Sequence, residues 1–204
     1  VAAIAALATE LGMATTAEGI ETKEQLDLVR RLGCTEGQGY LLGKPKPILA
    51  ALADYDVVYF SGITLAVLGE IGRERLLHAL IETRRRGGTV VFDNNYRPRL
   101  WASADVARAA YHQVLAEVDM ALLTEDDECA LFGYTDSEQV FAAYPAIAEV
   151  VLKRGADACL IRCEGERFAV PALKVETVVD TTAAGDSFSA AYLASRLKGG
   201  APQE

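Results

Sequence analysis

The sequence predicts an α/β protein in which a mostly parallel sheet is covered by helices. After residue 50, short apolar runs alternate with longer amphipathic segments. Repeats of this kind build parallel sheets, because two parallel strands need a crossover connection that a helix provides. Hydrophobic residues make up 51% of the 204 residues, which is ample for a buried core.

The predicted elements follow in a regular order from residue 56. Continuous apolar runs predict strands, and apolar residues every three or four positions predict helices. Strands are expected at 56–60, 88–93, 120–124 and 158–163, with 167–170 as the hairpin partner of the last one. Helices are expected at 70–86, 104–117, 125–132, 144–154 and 186–197. Ligands of such sheets collect at the carboxyl ends of the strands, where residues 95–97, 124–128 and 153–155 fall.

The first 47 residues predict a separate βα fragment. An apolar helix at 1–11 leads to a short strand at 13–17, and Glu18 follows the strand. Thr22 is expected to cap a helix that runs to residue 32, and a second short strand then delivers Gln38. Barrel enzymes carry their catalytic groups at such strand ends.

The most informative stretch is Asp-Thr-Thr-Ala-Ala-Gly-Asp at 180–186, directly before a predicted helix. Small residues at Ala183, Ala184 and Gly185 let the backbone approach a ligand, and the helix start offers unpaired N–H groups to an anion. Asp186 can accept a proton from a hydroxyl group or hold it in line. This combination indicates phosphoryl transfer onto a sugar alcohol. The alternative is an ordinary strand-to-helix turn in which a threonine or Asp186 caps the helix.

These seven residues resemble the C-terminal motif of the ribokinase-like (PfkB) carbohydrate kinases, which is usually Asp-Thr-x-Gly-Ala-Gly-Asp. Ala183 stands where Gly is commonest, a departure shared by the sugar-acid kinases of that family. Further similar pieces occur in order at 59–65, 92–98, 126–128 and 153–157. Residues 48–204 therefore resemble the middle and later part of a kinase for 2-keto-3-deoxygluconate. The N-terminal part and the last helices of that family are expected to be missing.

The resemblance implies a role for each matching residue. Asp186 would be the catalytic base, and Ala183, Ala184 and Gly185 would form the anion hole. Arg97, whose planar fork suits a carboxylate or phosphate, would bind substrate together with Asn95. Lys153, Gly155 and Asp157 would bind ATP, and Glu128 would orient Mg²⁺ through water. The alternatives are a solvated loop arginine at 97 and acidic residues of a first helical turn at 126–128.

Residues 1–47 resemble the C-terminal end of an EAL domain, in the segments 17–22 and 38–45. That resemblance implies part of a TIM-like barrel and cyclic di-GMP hydrolysis with two divalent cations. Glu18 would then be a partner of the metal-bound water, Glu21 a supporting carboxylate and Gln38 a substrate contact. The other metal ligands of the family have no counterpart in this sequence. Because two glutamates cannot hold a two-metal site, we expect Glu18 and Glu21 to form no metal site in this chain.

Composition and charge indicate which classes of binding partner and which compartment to expect. The net charge of −9 argues against nucleic acid and anionic membranes as partners. The apolar start is broken by Thr9 and Glu10, which is typical of an ordinary helix rather than a signal peptide or a membrane span. The four cysteines follow no zinc pattern, so reduced thiols in the cytoplasm are expected.

Three hypotheses follow. The first is an ATP- and Mg²⁺-dependent sugar-acid kinase, impaired because much of the sugar side has no counterpart here. The second is a fragment that hydrolyses or binds cyclic di-GMP, and the third is an inactive fusion remnant. Sheet edges and apolar faces left open by missing parts favour a homo-oligomer.

Overall fold

The computed structural model describes residues 15–42, 52, 55–173 and 183–203. Within the chain, contacts define two compact units, Val1–Pro47 and Ile48–Glu204. The helix predicted at 1–11 lies outside the described residues, as do residues 180–182 of the Asp-Thr-Thr-Ala-Ala-Gly-Asp stretch.

The first unit contains a βαβ arrangement. Strand β1 (Thr16–Ala17) and strand β2 (Glu36–Gly37) pair in parallel and are joined by helix α1 (Lys23–Arg31). The Thr22 side chain accepts a hydrogen bond from the Gln25 backbone N–H, and the Gln25 side chain accepts one from the Thr22 N–H. This reciprocal capping box fixes the start of α1 and confirms the predicted cap.

The second unit is built on a six-stranded sheet. Its strands are β3 (Val57–Ser61), β4 (Thr89–Asp93), β5 (Met120–Thr124), β6 (Glu149–Lys153), β7 (Cys159–Cys163) and β8 (Glu166–Val170). They lie side by side in sequence order. The pairs from β3 to β6 are parallel, and β6, β7 and β8 pair antiparallel. The predicted mostly parallel sheet is therefore confirmed.

Five helices follow in the described part of this unit. They are α2 (Gly62–Arg85), α3 (Ala104–Leu115), α4 (Glu125–Phe132), α5 (Ser137–Ala143) and α6 (Ala184–Leu197). Helix α2 begins eight residues earlier than predicted, because a first segment capped by Ser61 precedes the predicted helix and is joined to it across a kink at the non-helical Gly69. Among the described residues, no helix is both long and apolar enough to cross a membrane.

Both faces of the central strands β4, β5 and β6 are buried, as is typical of parallel sheets. Alternate residues of one strand point to opposite faces, so Val90 and Phe92 pack into a core with α2 and α3 while Val91 packs on the other side. The second core also contains Phe188 and Tyr192 of α6. Helix α6 is thereby held against the sheet by apolar contacts.

The prediction of a helix at 144–154 is wrong. Helix α5 ends at Ala143, and residues 149–153 form β6, in which all five residues are buried. A short, continuous apolar run fits a buried strand and a buried helix equally well by periodicity alone. The β-branched pair Val150 and Val151 favours the strand, since such side chains pack well on a pleated surface.

Candidate active site

Polar residues converge where β4, β5 and β6 end. Asp93 is the last residue of β4, Thr124 of β5 and Lys153 of β6. Ser189 of α6 lies within hydrogen-bond distance of Asp93 and Lys153. The start of α6 is therefore at the carboxyl edge of the sheet, where parallel sheets bind ligands.

The first turn of α6 presents backbone N–H groups that are not used within the helix. Ala183, the residue before the helix, is left-handed with φ 56° and ψ 17°. The first helical hydrogen bond runs from the Ser187 N–H to the Ala183 carbonyl at 2.8 Å, so the N–H groups of residues 184–186 have no partner within the helix. An alanine in this conformation costs about 1 kcal/mol, which is a physical reason for glycine to be the commoner residue there.

Two cavities flank this turn. The first, of about 480 Å³, is lined by Asp186 together with Tyr59, Asn95 and Ser189. The second, of about 490 Å³, is lined by residues of the opposite side: Lys153, Gly155, Asp157, Ala184 and Gly185 among others. The carboxylate of the turn therefore faces one cavity, and its small residues face the other.

Asn95 and Asp186 form a pair in the first cavity. The Asn95 Nδ2 donates to Asp186 Oδ1 at 3.4 Å across 91 residues of sequence. Asn95 has a left-handed backbone (φ 29°), and its buried Oδ1 has no hydrogen-bond partner among the described residues. Asn95 and Asp186 both line this cavity, so a ligand in it would lie beside a carboxylate and an amide.

A buried ion pair lies behind the turn. The Lys153 ammonium donates to Asp93 Oδ2 at 2.9 Å and to Ser189 Oγ at 3.1 Å, while Ser189 donates to the same Asp93 oxygen at 2.7 Å. The Tyr59 hydroxyl donates to Asp93 Oδ2 at 3.3 Å. Burial, reinforced by the negative charge of Asp93, raises the pKa of Tyr59 above its ordinary value.

Glu128 belongs to a second buried network. Its two oxygens accept hydrogen bonds from Asn94 Nδ2 at 3.0 Å and from the Tyr144 hydroxyl at 2.6 Å. The Asn94 Oδ1 in turn accepts from the N–H groups of Thr124 and Asn95. Burial raises the pKa of Glu128 to about 7, although the two hydrogen bonds oppose that shift. An action on magnesium through water stays a prediction for this residue.

Arg97 lies outside the described lining of both cavities. Its side chain is half exposed and approaches Asp127 at 3.8 Å. Asp127 Oδ2 also accepts the Tyr96 N–H at 3.0 Å, so the loop after β4 is tied to the first turn of α4. Substrate binding by Arg97 stays a prediction.

In the first unit, Glu18 follows β1 and Gln38 follows β2, at the same end of the parallel pair. Glu18, Glu21 and Gln38 are all exposed. Within the described parts of the chain, no three His, Cys, Asp or Glu side chains are grouped so that they could hold a metal ion. Mg²⁺ that arrives on nucleotide phosphates does not require such a group, because it keeps several water ligands.

Sequence reasoning gave no role to Asp93, Asn94, Tyr59 or Ser189. Two patterns point to them in retrospect. Asp93 and Asn94 directly precede Asn95 at a strand end, and Ser189 lies three residues after Asp186, on the same face of the helix. The pairing partners themselves depend on strand order, which those patterns do not contain.

Comparison with known proteins identifies the family of each part of the sequence. A family model described as pfkB family carbohydrate kinase matches residues 42–204, and a model of the EAL domain matches residues 1–45. The 2-dehydro-3-deoxygluconokinase of Escherichia coli (strain K12) is 52% identical over 162 residues, which cover 77% of this chain and 52% of that kinase. The chain thus spans about half the length of the curated relatives it matches.

Solved structures share the fold. The 2-dehydro-3-deoxygluconokinase of Thermotoga maritima has a TM-score of 0.64 at 20% identity, covering 99% of this chain and 78% of that chain. Aminoimidazole riboside kinase from Salmonella enterica, complexed with aminoimidazole riboside and an ATP analog, has a TM-score of 0.60 at 29% identity. That match covers 67% of this chain and 46% of the riboside kinase. Since the family model covers most of the sequence, the chain belongs to the pfkB family of carbohydrate kinases.

Proposed function

We propose that the chain transfers the γ-phosphoryl group of Mg·ATP to a hydroxyl group of a sugar acid of the 2-keto-3-deoxygluconate type. The observation that carries this proposal is the first turn of α6, with Asp186 lining one cavity and Ala184 and Gly185 lining the other. Supporting it, relatives that are 52% and 53% identical are 2-dehydro-3-deoxygluconokinases.

The cavity that Asp186 lines would hold the sugar acid. Asp186 would orient the acceptor hydroxyl and take its proton as the oxygen bonds to phosphorus. Asn95, which lines the same cavity, would contact the same sugar. Arg97, two residues further on, would meet the carboxylate of the sugar acid with its planar fork. In a loose phosphoryl-transfer transition state, positioning contributes more than early proton removal.

The other cavity would hold the nucleotide. The N–H groups of residues 184–186 would stabilise negative charge on the transferring phosphoryl group, as helix starts do for phosphates. Gly155, with φ 60°, and Asp157 form the turn that lines this cavity, so they would contact the nucleotide. Mg²⁺ would arrive with the phosphates and neutralise part of their charge, with Glu128 acting on it through water. ADP leaves as the new phosphate ester forms.

A coupled assay of ADP release with 2-keto-3-deoxygluconate tests the proposal. We expect Asp186→Asn to lower kcat by about 10²- to 10⁴-fold, because the acceptor hydroxyl loses its base. The dissociation constant of Mg·ATP, measured by calorimetry, should change by less than about threefold, since Asp186 faces the other cavity.

Asp105→Asn, on an exposed carboxylate at the start of α3, is the matched control and should leave turnover unchanged. Turnover that survives Asp186→Asn would contradict the assigned base. A wild-type chain that binds Mg·ATP and the sugar acid without releasing ADP would contradict the proposed reaction.

A further inference from the structure

The cluster of Asp93, Lys153 and Ser189 joins α6 to the sheet directly behind the candidate site. Its members are 1%, 9% and 2% exposed, so an ion pair is held away from water. A buried ion pair usually gives no more stability than apolar residues of the same volume, because both charges lose their hydration. Its placement points to a role other than stabilisation.

The cluster connects two strands that are not neighbours. Asp93 ends β4 and Lys153 ends β6, with β5 between them. Adjacent strands lie about 4.8 Å apart, so the long lysine side chain crosses the end of β5 to reach the carboxylate. Ser189 then attaches α6 to both partners, since its hydroxyl accepts from Lys153 and donates to Asp93.

The attached face of α6 is the face that carries Asp186. Ser189 lies three residues after Asp186, and side chains at that spacing share a helix face. The far end of α6 is fastened separately, because Arg196 and Tyr192 donate to Glu149. At the start of α6, Ser189 therefore adds a polar attachment to the apolar contact that Phe188 makes with the sheet.

The cluster also lies between the two cavities. Ser189 lines the cavity with Asp186, and Lys153 lines the cavity with Gly185. A Cβ atom placed on Gly185 would lie 3.9 Å from the Lys153 ammonium nitrogen. The ammonium is thus directly behind the N–H groups of the first turn, yet its hydrogen bonds go to Asp93 and Ser189.

We propose that Asp93, Lys153 and Ser189 are positioning residues that fix the first turn of α6, so that Asp186 and the N–H groups of residues 184–186 face their two cavities. Lys153 acts through Ser189 and Asp93 and not by contact with the nucleotide. The consequence for turnover rests on the proposed kinase function. The attachment of α6 does not.

Hydrogen exchange of Ser189→Ala tests the attachment. This variant frees α6 from the ion pair and leaves both charges paired. We expect the amides of residues 187–190 to exchange about tenfold faster, and those of residues 194–197, held by Glu149, to change by less than about threefold. Ser187→Ala makes the same chemical change on the exposed face of the same turn and should alter neither segment. Equal exchange in the two variants would overturn the proposal.

The double variant Asp93→Leu/Lys153→Met, which also removes the acceptor of the Ser189 hydroxyl, separates positioning from stability. It removes both charges, so neither is left buried and unpaired, and the unfolding midpoint should exceed that of Lys153→Met alone. If the cluster positions α6, kcat stays at least about tenfold below wild type while the Mg·ATP dissociation constant changes by less than about threefold. Recovery of kcat together with the midpoint would show a merely structural cluster and overturn the proposal.

Nucleotide affinity gives the last discriminating result. A loss of Mg·ATP affinity greater than about tenfold in Lys153→Met, with exchange of residues 187–190 unchanged, would make Lys153 a nucleotide ligand and overturn the proposal. A wild-type chain without turnover would contradict the kinase proposal alone, because the exchange of Ser189→Ala still decides whether the cluster attaches α6.

Discussion

Glu128 is a carboxylate whose surroundings oppose its charge. It is 1% exposed, and its two hydrogen-bond donors, Asn94 and Tyr144, are neutral side chains. Burial raises its pKa from 4.5 to about 7. The folded state therefore binds a proton on Glu128 over a range of pH in which the unfolded state has released it.

The stability of the protein should fall as pH rises through this range. Between pH 4.5 and 7 the folded state holds more protons at Glu128 than the unfolded state, so the free energy of unfolding decreases with pH, by about 3 kcal/mol in total. Glu128→Gln keeps the shape but cannot titrate, and should remove this part of the slope. Urea unfolding at pH 5 and pH 7.5 measures the difference.

Glu138→Gln, on a mostly exposed carboxylate of α5, controls for the loss of one formal charge and should keep the wild-type slope. If Glu128→Gln kept it as well, the raised pKa of Glu128 would be wrong. Glu149 does not affect this measurement. Although burial acts to raise the pKa of Glu149, hydrogen bonds from Arg196, Tyr192 and Cys163 outweigh it and lower that pKa. The effect of Glu149 on the free energy of unfolding therefore falls at more acidic pH.

Single residues also show what the sequence could predict of the site. Asp186 and Asn95 lie in recognisable motifs, and the structure brings them into one cavity. Their hydrogen bond, like the contact of Ser189 with Asp93, joins residues more than 90 positions apart. Such pairs depend on the order of the strands and on the side of the sheet that a helix covers, which local spacing does not specify.

At the scale of elements, the junction of β3 and α2 is shaped by a close approach of backbone to side chain. Ser61 caps α2, and a Cβ atom on the next residue, Gly62, would overlap the Tyr111 hydroxyl and the Asn94 carbonyl oxygen. Those two groups are hydrogen-bonded to each other. The glycine therefore lets the helix start against the loop that carries Asn95.

Gly62→Ala should destabilise the protein by about 1–3 kcal/mol, because the added methyl group must displace Tyr111 or Asn94. Chemical denaturation measures the loss. Tyr111→Phe in the same chain removes the hydroxyl that the methyl group meets, so the double variant should be more stable than the sum of the single changes predicts. Strict additivity of the two changes would contradict the contact.

Helices and strands could be predicted from the sequence where the pattern of apolar and charged residues fits one type of element only. The strand Met120–Thr124 and the helix Glu125–Phe132 have the predicted bounds, since a continuous apolar run is followed at once by four acidic residues that suit a helix start. The strand at 149–153 was not predictable, because its apolar run, residues 150–152, is too short to distinguish a strand from a helix by periodicity. Its parallel neighbour β5 and its antiparallel neighbour β7 decide in favour of a strand.

At the scale of the whole molecule, the two units differ in how much they bury. Among the described residues of the first unit, Ile20 is the one buried hydrophobic side chain, whereas the second unit has two buried clusters. The strands of the first unit are only two residues long, and the capping box of α1 is formed within the start of the helix itself. Because buried apolar area supplies most of the folding free energy, the first unit should open far more readily than the central sheet.

Hydrogen exchange of the wild-type chain tests this difference. Amides of residues 23–31 should be protected at least about 100-fold less than those of β5 and β6, since local opening there exposes little apolar surface. Ile20→Ala should abolish the remaining protection of 23–31, whereas Leu123→Ala, in the larger core, should lower the protection of β5 and β6. Equal protection of α1 and the central strands in the wild type would mean that more apolar surface supports α1 than Ile20 provides. The conclusion that the six-stranded sheet is more stable than the first unit would then fail.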